Sequence, residues 1–461
     1  MDFKLSALSP LDGRYYDKFS ALRLIASEFG LIRYRLQVEI QWLIILSEKK
    51  ALTQLPPLTK DSRLFLQTIL QQFDVAEAEK IKKIEGVTNH DVKAIEYYLQ
   101  EKIKNHPELA KFIPFIHFGC TSEDINNLAY GLMLADIRSQ ALSPLMQTII
   151  HKLQRLAHDN LETAMLSRTH GQPASPTTLG KELINLTTRL KRQFSCWQQL
   201  PILGKFNGAV GNFNAHYIAA PEIDWLAISH SFIKELGLIP NSYTTQIEPH
   251  DFLAEFFHCL MRFNTILIDL NRDIWGYISL GYFSQRKAEH EIGSSTMPHK
   301  INPIDFENSE GNLGLANAVA AHLAEKLPIS RWQRDLSDST VLRNLGTVAG
   351  YALLAYQALL TGLNKLTINQ QAIAQDLEQH WEILAEAIQT VLRRYGVADA
   401  YEQLKSLTRG NVVDQKTLYN FIEQLPIPPQ AKQRIQDLTP AHYIGYAKEL
   451  TKQALKEDEL C

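Results

Sequence analysis

Long stretches of helical periodicity constrain the fold of this chain more than any other feature of its sequence. Apolar residues recur at three- and four-residue spacing from Leu22 to Leu46 and from Leu64 to Phe73, whereas the alternation typical of strands is nearly absent. Five longer stretches contain at most one internal proline: residues 121–159, 177–200, 249–283, 303–326 and 339–363. The pattern predicts an all-α protein built around a bundle of long helices.

The stretch at residues 249–283 is longer than a compact domain needs, because one continuous helix would span about 50 Å there. Its apolar residues face several directions: Phe252, Phe256, Phe257, Leu260, Phe263, Ile266, Ile268, Ile274 and Trp275. A helix that is apolar all round must be covered on all sides. We therefore predict a homo-oligomer with an intersubunit helix bundle; the alternative is a monomer that folds back on itself.

The chain has 461 residues, more than one hydrophobic core usually serves, so several domains are expected. The predicted helices before residue 111 are short, and Thr88 and Asp91 have the spacing of a capping box for one of them. The helices after residue 364 are short again. The sequence predicts an N-terminal helical domain at residues 1–111, a central long-helix bundle domain with the oligomer contacts and catalytic loops at 112–364, and a C-terminal helical domain at 365–461.

Charge and cysteine content exclude several classes of protein. A net charge of -3 and a pI near 6.6 argue against a broad surface for nucleic acid or acidic membranes, so an anionic ligand must be held locally. The four cysteines are far apart, which favours a reducing compartment. Residues 1–6 lack the apolar segment of a signal peptide, and no apolar run is long enough to span a membrane. We expect a cytoplasmic protein.

The densest polar stretch is the loop predicted at residues 293–302, Gly-Ser-Ser-Thr-Met-Pro-His-Lys-Ile-Asn. Gly293, Pro298 and Pro303 disfavour a helix there. Three hydroxyls, an ammonium and a carboxamide lie within ten positions, which suits a site that holds an anion and moves a proton beside it. The alternative interpretation, a Gly/Ser linker, leaves so particular an order unexplained.

A second polar segment spans residues 117–127. Thr121 is a predicted N-cap with Asp124 at the third helical position, and this capping role is the structural alternative to a binding site. The two roles are compatible, because the free amides at the start of a helix attract carboxylate or phosphate.

A third polar segment spans residues 167–174, where Pro173 and Pro176 keep His170 on a constrained non-helical loop. A lone histidine is more often structural than catalytic. His170 has an arginine, a glycine and a glutamine as neighbours, which favours a site. Imidazole titrates near neutral pH and is suited to protonate a departing nitrogen.

Together these segments resemble, in the same chain order, the three signature regions of the fumarase/aspartase superfamily, lyases that release fumarate by breaking a C–N or C–O bond. By that resemblance His170 is the general acid, Ser294 is the general base and Glu307 orients His170. Lys300 and Asn302 match residues that bind a substrate carboxylate. Because serine is a weak base, its alkoxide would need Lys300 and loop amides around it and the exclusion of water.

Segments elsewhere carry groups suited to a phosphorylated ligand. Arg14 with Tyr15, and Ser339 with Arg343, offer guanidinium and hydroxyl groups for a phosphate. Ser339 and Arg343 are four residues apart and so share one helix face; the alternative is a helix cap at Ser339 and a surface arginine. Comparable polar groups lie in residues 88–93, 244–251 and 330–344.

With these segments included, the sequence resembles over nearly its whole length the adenylosuccinate lyase family of the superfamily, in its longer bacterial form. The resemblance implies loss of fumarate from two substrates of purine synthesis, adenylosuccinate and its aminoimidazole-carboxamide ribotide counterpart, SAICAR. It also implies a homotetramer whose active sites are each assembled from three subunits. The residues it assigns to substrate binding are Arg14, Tyr15, Asn89, His90, Asp91, Thr121, Ser122, Gln246, Ser295, Met297, Asn302, Asn308, Arg334, Ser339, Thr340 and Arg343.

We expect neither a metal nor a cofactor. The histidines form no His-Glu-x-x-His pair and no Cys/His group with metal-ligand spacing. Residues 204–211 are glycine-rich, yet they lack the Gly-Lys-Ser/Thr ending of a phosphate-binding P-loop.

Two rival functions stay open at this point. A sister enzyme such as argininosuccinate lyase would share the loop chemistry, although the phosphate-suited segments count against it. The second rival is a structural protein that kept the fold and lost the activity. The presence of Ser294, His170, Lys300 and Glu307 argues against it.

Overall fold

A computed structural model describes residues 3–49, 52–286, 296–297, 299–410 and 413–459. These residues form a predominantly helical fold with a few short strands, which confirms the predicted all-α class. The helices are α1 (Phe3–Ser6), α2 (Ser20–Ala26), α3 (Glu28–Glu48), α4 (Lys60–Gln71), α5 (Val75–Thr88), α6 (Asp91–Ile103), α7 (Ser122–Asp136), α8 (Ser143–Asp159), α9 (Leu179–Gln199), α10 (Asn214–Ala219), α11 (Trp225–Glu235), α12 (Asp251–Ser279), α13 (Ile304–Lys326), α14 (Ser337–Leu342), α15 (Leu345–Lys365), α16 (Gln370–Glu378), α17 (Ala385–Arg394), α18 (Ala400–Thr408), α19 (Gln415–Glu423), α20 (Pro429–Gln436) and α21 (Ala447–Glu459). The strands are β1 (Ala164–Thr169), β2 (Gln172–Thr178), β3 (Leu203–Gly204), β4 (Ile239–Pro240), β5 (Phe283–Gln285) and β6 (Leu366–Ile368).

Side-chain caps fix where many of the helices begin. Each capping side chain accepts a hydrogen bond from a backbone N–H of the first turn, which would otherwise lack a partner. The capping residues are Ser27 for α3, Thr59 for α4, Asp74 for α5, Asp224 for α11, Asn369 for α16 and Asp414 for α19.

The long helices lie where the sequence predicts them, with three differences. Residues 177–178 belong to β2 rather than to the following helix. Helix α12 ends at Ser279, so the stretch at 280–283 forms a turn and the start of β5. The last predicted long helix is interrupted at residues 343–344, which separate α14 from α15. The helical pattern therefore located the long helices correctly but missed the exact position of several ends and one interruption.

The prediction that α12 is apolar all round is wrong. Phe252, Phe256, Leu260 and Phe263 are buried within this single chain. The exposed positions recur at helical spacing and carry mainly polar residues: Asp251, Glu255, His258, Arg262, Thr265, Asp269, Arg272 and Asp273. An amphipathic helix needs cover on one side only. The length and composition of α12 are therefore no argument for an oligomer.

The chain divides into two compact units, and unit 1 comprises Met1–Leu145, Gln193–Thr265 and Gly311–Ala355. Its core is centred on α3, which packs against α2, α6 and α7. Trp42 of α3 is fully buried, with ring-centroid distances of 4.2 Å to Phe206 and 5.3 Å to Phe232. The parallel strands β3 and β4 also belong to this unit.

Unit 2 comprises Met146–Arg192, Ile266–Glu310 and Tyr356–Cys461. It contains the antiparallel pairs β1–β2 and β5–β6. Helices α16 to α20 form a hydrophobic core that includes Leu377, Trp381 and Ile388, together with Leu166 of β1. The strand β1 therefore reaches into the core that these short helices share.

The predicted domain boundaries near residues 111 and 364 stay a prediction.

Within the described residues, Ser337–Lys365 is the one stretch long and apolar enough to cross a membrane, and 61% of its most apolar window is buried inside the chain. The core helix of a globular protein shows the same combination of length, hydropathy and burial.

Candidate active site

The start of α7 is held by a buried ion pair. Asp124 accepts the backbone N–H of Thr121 (2.8 Å), so the predicted capping box is confirmed, and Ser122 is the first helical residue. The other carboxylate oxygen of Asp124 lies 2.9 Å from the Lys205 ammonium, and both side chains are fully buried. Lys205 Nζ also donates to the backbone oxygens of Gly208 and Gln246. Thr121 and Ser122 are therefore fixed to the loop that carries Gln246.

Arg334 is held by two side-chain acceptors, one buried and one partly buried. Its Nη2 donates to Glu123 (3.0 Å) and its Nη1 donates to the Gln246 side chain (3.1 Å). Asn126 donates to the same Glu123 oxygen at 2.7 Å. Burial raises the pKa of Glu123, while Arg334 and Asn126 oppose that shift. Two of the predicted substrate-binding residues, Gln246 and Arg334, thus contact each other, and Arg334 is also bound to a carboxylate that was not predicted.

Two further arginines, Arg35 and Arg343, converge on Asp91. Arg35, almost completely buried in α3, donates to Asp91 (2.8 Å) and to Asn126 (2.8 Å). Arg343 donates to Asp91 (3.3 Å) and to Glu28 (2.7 Å). Burial would raise the pKa of Asp91, but Arg35, a backbone N–H and Arg343 lower it below its ordinary value. A continuous series of hydrogen bonds therefore links Arg343 to Arg334.

Asn89 and His90 connect α5 to α6. Asn89 has a left-handed backbone (φ 50°) and ends α5, and the His90 ring accepts the Lys93 N–H (3.1 Å) as the cap of α6. The predicted capping role of Thr88 is wrong, because Thr88 is the last residue of α5 and Asp91 is the first of α6. The cap of α6 is therefore the imidazole of His90, and not the hydroxyl of Thr88 that the sequence predicted.

The predicted phosphate residues all lie in unit 1, in two segments. Arg14 is exposed and its guanidinium lies 5.8 Å from the centre of the Tyr15 ring. Ser339 and Thr340 lie in α14, and Arg343 is the residue after its end. The Ser339 N–H donates to Asp338 at 2.7 Å. Ser339 does not cap the helix, since α14 already begins at Ser337.

His170 lies at the tip of a hairpin in unit 2. Thr169 pairs with Gln172, so His170 and Gly171 form a two-residue turn with φ values of 55° and 74°. Two-residue turns of this kind use positive φ at both positions because the backbone then follows the twist of the strands. The loop predicted around His170 is thus a β-turn that presents an exposed imidazole.

Arg168 anchors this hairpin. It forms an ion pair with Asp376 of α16 at 2.6 Å, and Tyr282 donates its hydroxyl to the same carboxylate oxygen. Burial alone would raise the pKa of Asp376, but the hydrogen bonds from Tyr282 and Arg168 lower it. The carboxylate is therefore charged, and it holds the hairpin two residues away from His170.

The remaining predicted residues that the structure describes also belong to unit 2. Glu307 lies in the first turn of α13 and accepts a hydrogen bond from the Trp275 indole (3.2 Å). Within the described part of the chain, no hydrogen bond joins His170 to Glu307. Met297 and Lys300 are exposed, and Asn302 and Asn308 are half-buried. Ser294 and Ser295 lie outside the described residues.

Within unit 1 the structure brings four predicted residues into one network of hydrogen bonds: Asp91, Gln246, Arg334 and Arg343. The residues that complete the network were not predicted: Glu28, Arg35, Glu123 and Asn126. Arg35 is one of several charged residues in the sequence of α3, so no sequence signal distinguished it; only its burial shows that its charge requires a partner.

Comparison with known proteins identifies the family. A family model described as lyase matches residues 13–320, and one described as adenylosuccinate lyase C-terminal matches residues 330–444. Among solved structures, 3-carboxy-cis,cis-muconate lactonizing enzyme from Pseudomonas putida has a TM-score of 0.75 at 20% identity, covering 97% of this chain and 99% of that one. A fumarate lyase from Mesorhizobium sp. BNC1 has a TM-score of 0.75 at 18% identity, covering 95% and 97%. At such identities the likeness concerns the fold alone.

Curated relatives are much more similar in sequence. Adenylosuccinate lyase from Haemophilus influenzae is 57% identical, covering 97% of this chain and 98% of the relative. The enzyme of the same name from Escherichia coli K12 is 55% identical over 96% and 97%, and that from Legionella pneumophila strain Philadelphia 1 is 53% identical over 97% and 98%. Since these matches extend over almost the full length of both proteins, the chain belongs to the adenylosuccinate lyase family.

Proposed function

We propose that this protein is a C–N lyase that releases fumarate from adenylosuccinate, giving AMP, and from SAICAR, giving AICAR, in purine nucleotide biosynthesis. The observation that carries the proposal is the 57% identity, over 97% of the chain, to a curated adenylosuccinate lyase. The proposed reaction is a β-elimination that needs no cofactor. A C–H bond of the succinyl group and the C–N bond to the purine both break, and a carbon–carbon double bond forms between them.

In the proposed mechanism Ser294 removes the proton from the succinyl carbon, which leaves a doubly negative aci-carboxylate. Lys300 and the loop amides would stabilise this charge once water is excluded. His170 would then protonate the departing nitrogen, while Glu307 fixes the orientation of the imidazole. A positioned acid and a positioned base each contribute about 10²- to 10⁴-fold in rate.

The proposed substrate contacts form three groups, one for each part of the substrate. Asn302, Ser295, Thr121 and Ser122 would hold the succinyl carboxylates with Lys300. The phosphate would be bound by Arg14, Tyr15, Ser339, Thr340 and Arg343. The nucleotide would be lined by Asn89, His90, Asp91, Gln246, Met297, Asn308 and Arg334. The support is the network in unit 1, which concentrates two arginines of this set, Arg334 and Arg343, within one series of hydrogen bonds.

We also propose a cytoplasmic homotetramer with active sites shared between subunits. Large apolar side chains that are about half exposed in the single chain support the assembly: Trp275 of α12 at 50%, Ile304 of α13 at 55% and Leu315 of α13 at 49%. Sedimentation of the purified protein tests the assembly, and a monomer at micromolar concentration would contradict it. The widely spaced cysteines support a reducing compartment.

The deciding experiment is an absorbance assay of fumarate release, with adenylosuccinate, SAICAR and argininosuccinate as parallel substrates. We expect turnover of the first two and none of the third. Turnover of argininosuccinate alone would identify a sister lyase, and failure with all three substrates would identify a protein without this activity.

Single substitutions test the assigned roles. Ser294→Ala and His170→Ala are each expected to lower kcat by at least about 100-fold, because each removes a proton-transfer group. His151→Gln, which alters an exposed histidine on α8, is the matched control and should leave turnover unchanged. Near-normal turnover in either alanine variant would remove that residue from the mechanism.

A further inference from the structure

His250 precedes α12, and the proposed reaction assigns it no role. Its side chain is buried (2% exposed) and its backbone is left-handed (φ 69°), a conformation that costs energy for any residue with a side chain. Neither ring nitrogen has a hydrogen-bond partner among the described residues. A buried imidazole without a hydrogen bond on either nitrogen is rare in folded proteins, so this one requires an explanation.

Each ring nitrogen of His250 faces a carboxylate. Nδ1 lies 3.7 Å from Glu248 and Nε2 lies 3.8 Å from Asp338, and both carboxylates are buried. A neutral imidazole carries only one N–H, so only the imidazolium can direct a proton to both carboxylates. Burial alone would lower the pKa of His250, but Asp338, Glu248 and the nearby Glu123 outweigh it and raise the pKa to about 9.

Asp338 connects this ring to the predicted phosphate segment. Its Oδ2 faces the imidazole, and its Oδ1 accepts the backbone N–H of Ser339 at 2.7 Å. Helix α14 has only six residues, and the residue before it, Leu336, provides no side-chain cap. So short a helix has little stability of its own and depends on contacts with the rest of the fold.

Glu248 fixes the other side of the ring. One of its oxygens accepts the backbone N–H of His250 at 2.7 Å, and the other accepts the side chain of Asn241 at 2.8 Å. The imidazole therefore lies between two carboxylates. Glu248 is held by two hydrogen bonds, and Asp338 belongs to α14 itself. Glu123 of α7 also acts electrostatically on the ring, and it is itself paired with Arg334.

We propose that His250 is a positioning residue: as an imidazolium between Glu248 and Asp338 it fixes α14, and with it the residues that bind the substrate phosphate. The inference rests on the proposed function, since it concerns the phosphate site of that reaction. His250 does not touch substrate in this proposal; it acts through Asp338 and Ser339.

Calorimetric titration of the full-length protein with AMP tests the proposal. His250→Gln keeps a polar side chain of similar size but cannot carry the charge. We expect its affinity for AMP to fall at least about tenfold, a loss of about 1.4 kcal/mol, while its affinity for fumarate, which lacks a phosphate, stays within about twofold. His258→Gln, on the exposed face of α12, is the matched control and should bind both ligands like the wild type. Unchanged AMP affinity, or an equal loss for AMP and fumarate, would overturn the proposal.

The wild-type protein provides a second test that does not depend on whether the variant folds. The phosphate of AMP is fully ionised above about pH 8, because its second pKa is about 6. AMP affinity should fall between pH 8 and pH 10, as His250 loses its proton around its pKa of about 9. The fall should be absent in His250→Gln, and Asp338→Asn should reproduce the loss of affinity at pH 7.5. A flat wild-type profile would overturn this inference while leaving the proposed reaction intact, whereas a wild type that neither binds AMP nor releases fumarate would overturn both.

Discussion

The carboxylate of Glu123 lies 3.0 Å from the guanidinium of Arg334, and both side chains are largely shielded from water. The same carboxylate accepts a hydrogen bond from Asn126, which in turn accepts one from Arg35. A charge-assisted hydrogen bond in a poorly solvated site is about twice as strong as a neutral one and holds its geometry. Glu123 therefore fixes the direction in which Arg334 presents its remaining N–H groups.

We expect Glu123→Gln to lower kcat/KM for adenylosuccinate by about fivefold. Glutamine can still accept a hydrogen bond from Arg334, but the bond loses its charge-assisted component of about 1 kcal/mol. Fumarate release at several substrate concentrations measures the change. Glu325→Gln, at an exposed position of α13, is the control. If both variants retained the wild-type value, Glu123 would have no part in placing Arg334.

The buried pair of Asp124 and Lys205 leads to a prediction about stability. Lys205→Met is expected to lower the free energy of unfolding by about 3–5 kcal/mol, because it leaves a buried carboxylate without its counter-ion. The change is measured by urea denaturation. Adding Asp124→Asn should recover part of the loss, since the amide carries no uncompensated charge.

The control for that prediction is Lys49→Met, which removes a surface ion pair with Glu235. The two groups are 3.8 Å apart and about half exposed, and such pairs contribute less than about 1 kcal/mol. Equal effects of the two lysine substitutions would show that burial does not strengthen the Asp124 pair.

Much of the fold could be predicted because long helices are encoded locally. The pattern at residues 303–326 needs only its own periodicity to be recognised, and α13 begins at Ile304 and ends at Lys326. The hairpin that carries His170 could not be predicted in this way. Pro173 and Pro176 argue against a central strand, but β2 belongs to a two-stranded sheet in which both strands are edges, and an edge strand tolerates proline.

The candidate site was predictable only in part for a similar reason. Polar loops such as residues 293–302 stand out in the sequence. Arg35 and Glu123 act through partners far away in the chain, since Arg35 contacts Asp91 and Asn126, and Glu123 contacts Arg334. No local pattern specifies a pair separated by more than 200 positions, as Glu123 and Arg334 are. Side chains such as Arg35 and Glu123, which orient other side chains of the candidate site, can therefore be identified only from the tertiary structure.

Gly119 is packed too closely for any side chain. Its φ is 73°, and a Cβ atom there would lie 2.3 Å from Nε2 of the buried His216. His216 cannot retreat, because the rings of Trp225 and Phe213 lie 4.9 and 5.5 Å from it. Gly119→Ala is therefore expected to lower the free energy of unfolding by more than about 2 kcal/mol, the sum of backbone strain and overpacking.

Thermal denaturation of two glycine variants separates these causes. Gly237 has a similar φ of 80° with no atom within 4 Å of an added Cβ, so Gly237→Ala measures backbone strain alone. Its expected cost is about 1–2 kcal/mol. Equal losses in the two variants would mean that the contact with His216 contributes nothing.

Glu77 of α5 contacts three donors, one within α5 and two in α6, and so joins the two helices. Its carboxylate lies 2.7 Å from Lys80, 2.7 Å from Lys102 and 2.6 Å from the Tyr98 hydroxyl. Burial alone would raise the pKa of Glu77, but these donors lower it to about 2. A carboxylate whose pKa is lower in the folded than in the unfolded protein stabilises the fold at neutral pH.

The stabilisation by Glu77 should be complete above its ordinary pKa of 4.5 and should disappear as the pH falls toward 2. We expect Glu77→Gln to lower the free energy of unfolding at pH 7 by about 1 kcal/mol, a value limited by the partial exposure of the lysines. The difference between the wild type and the variant should shrink below about pH 4.5, because the Glu77 carboxylate of the unfolded chain then takes up its proton while that of the folded protein stays charged until the pH approaches 2. Urea denaturation at pH 7, 5, 4 and 3 measures this difference, with Glu79→Gln, at an exposed position of the same helix, as the control. A constant difference across that range would mean that Glu77 stabilises the helix pair through packing rather than through its charge.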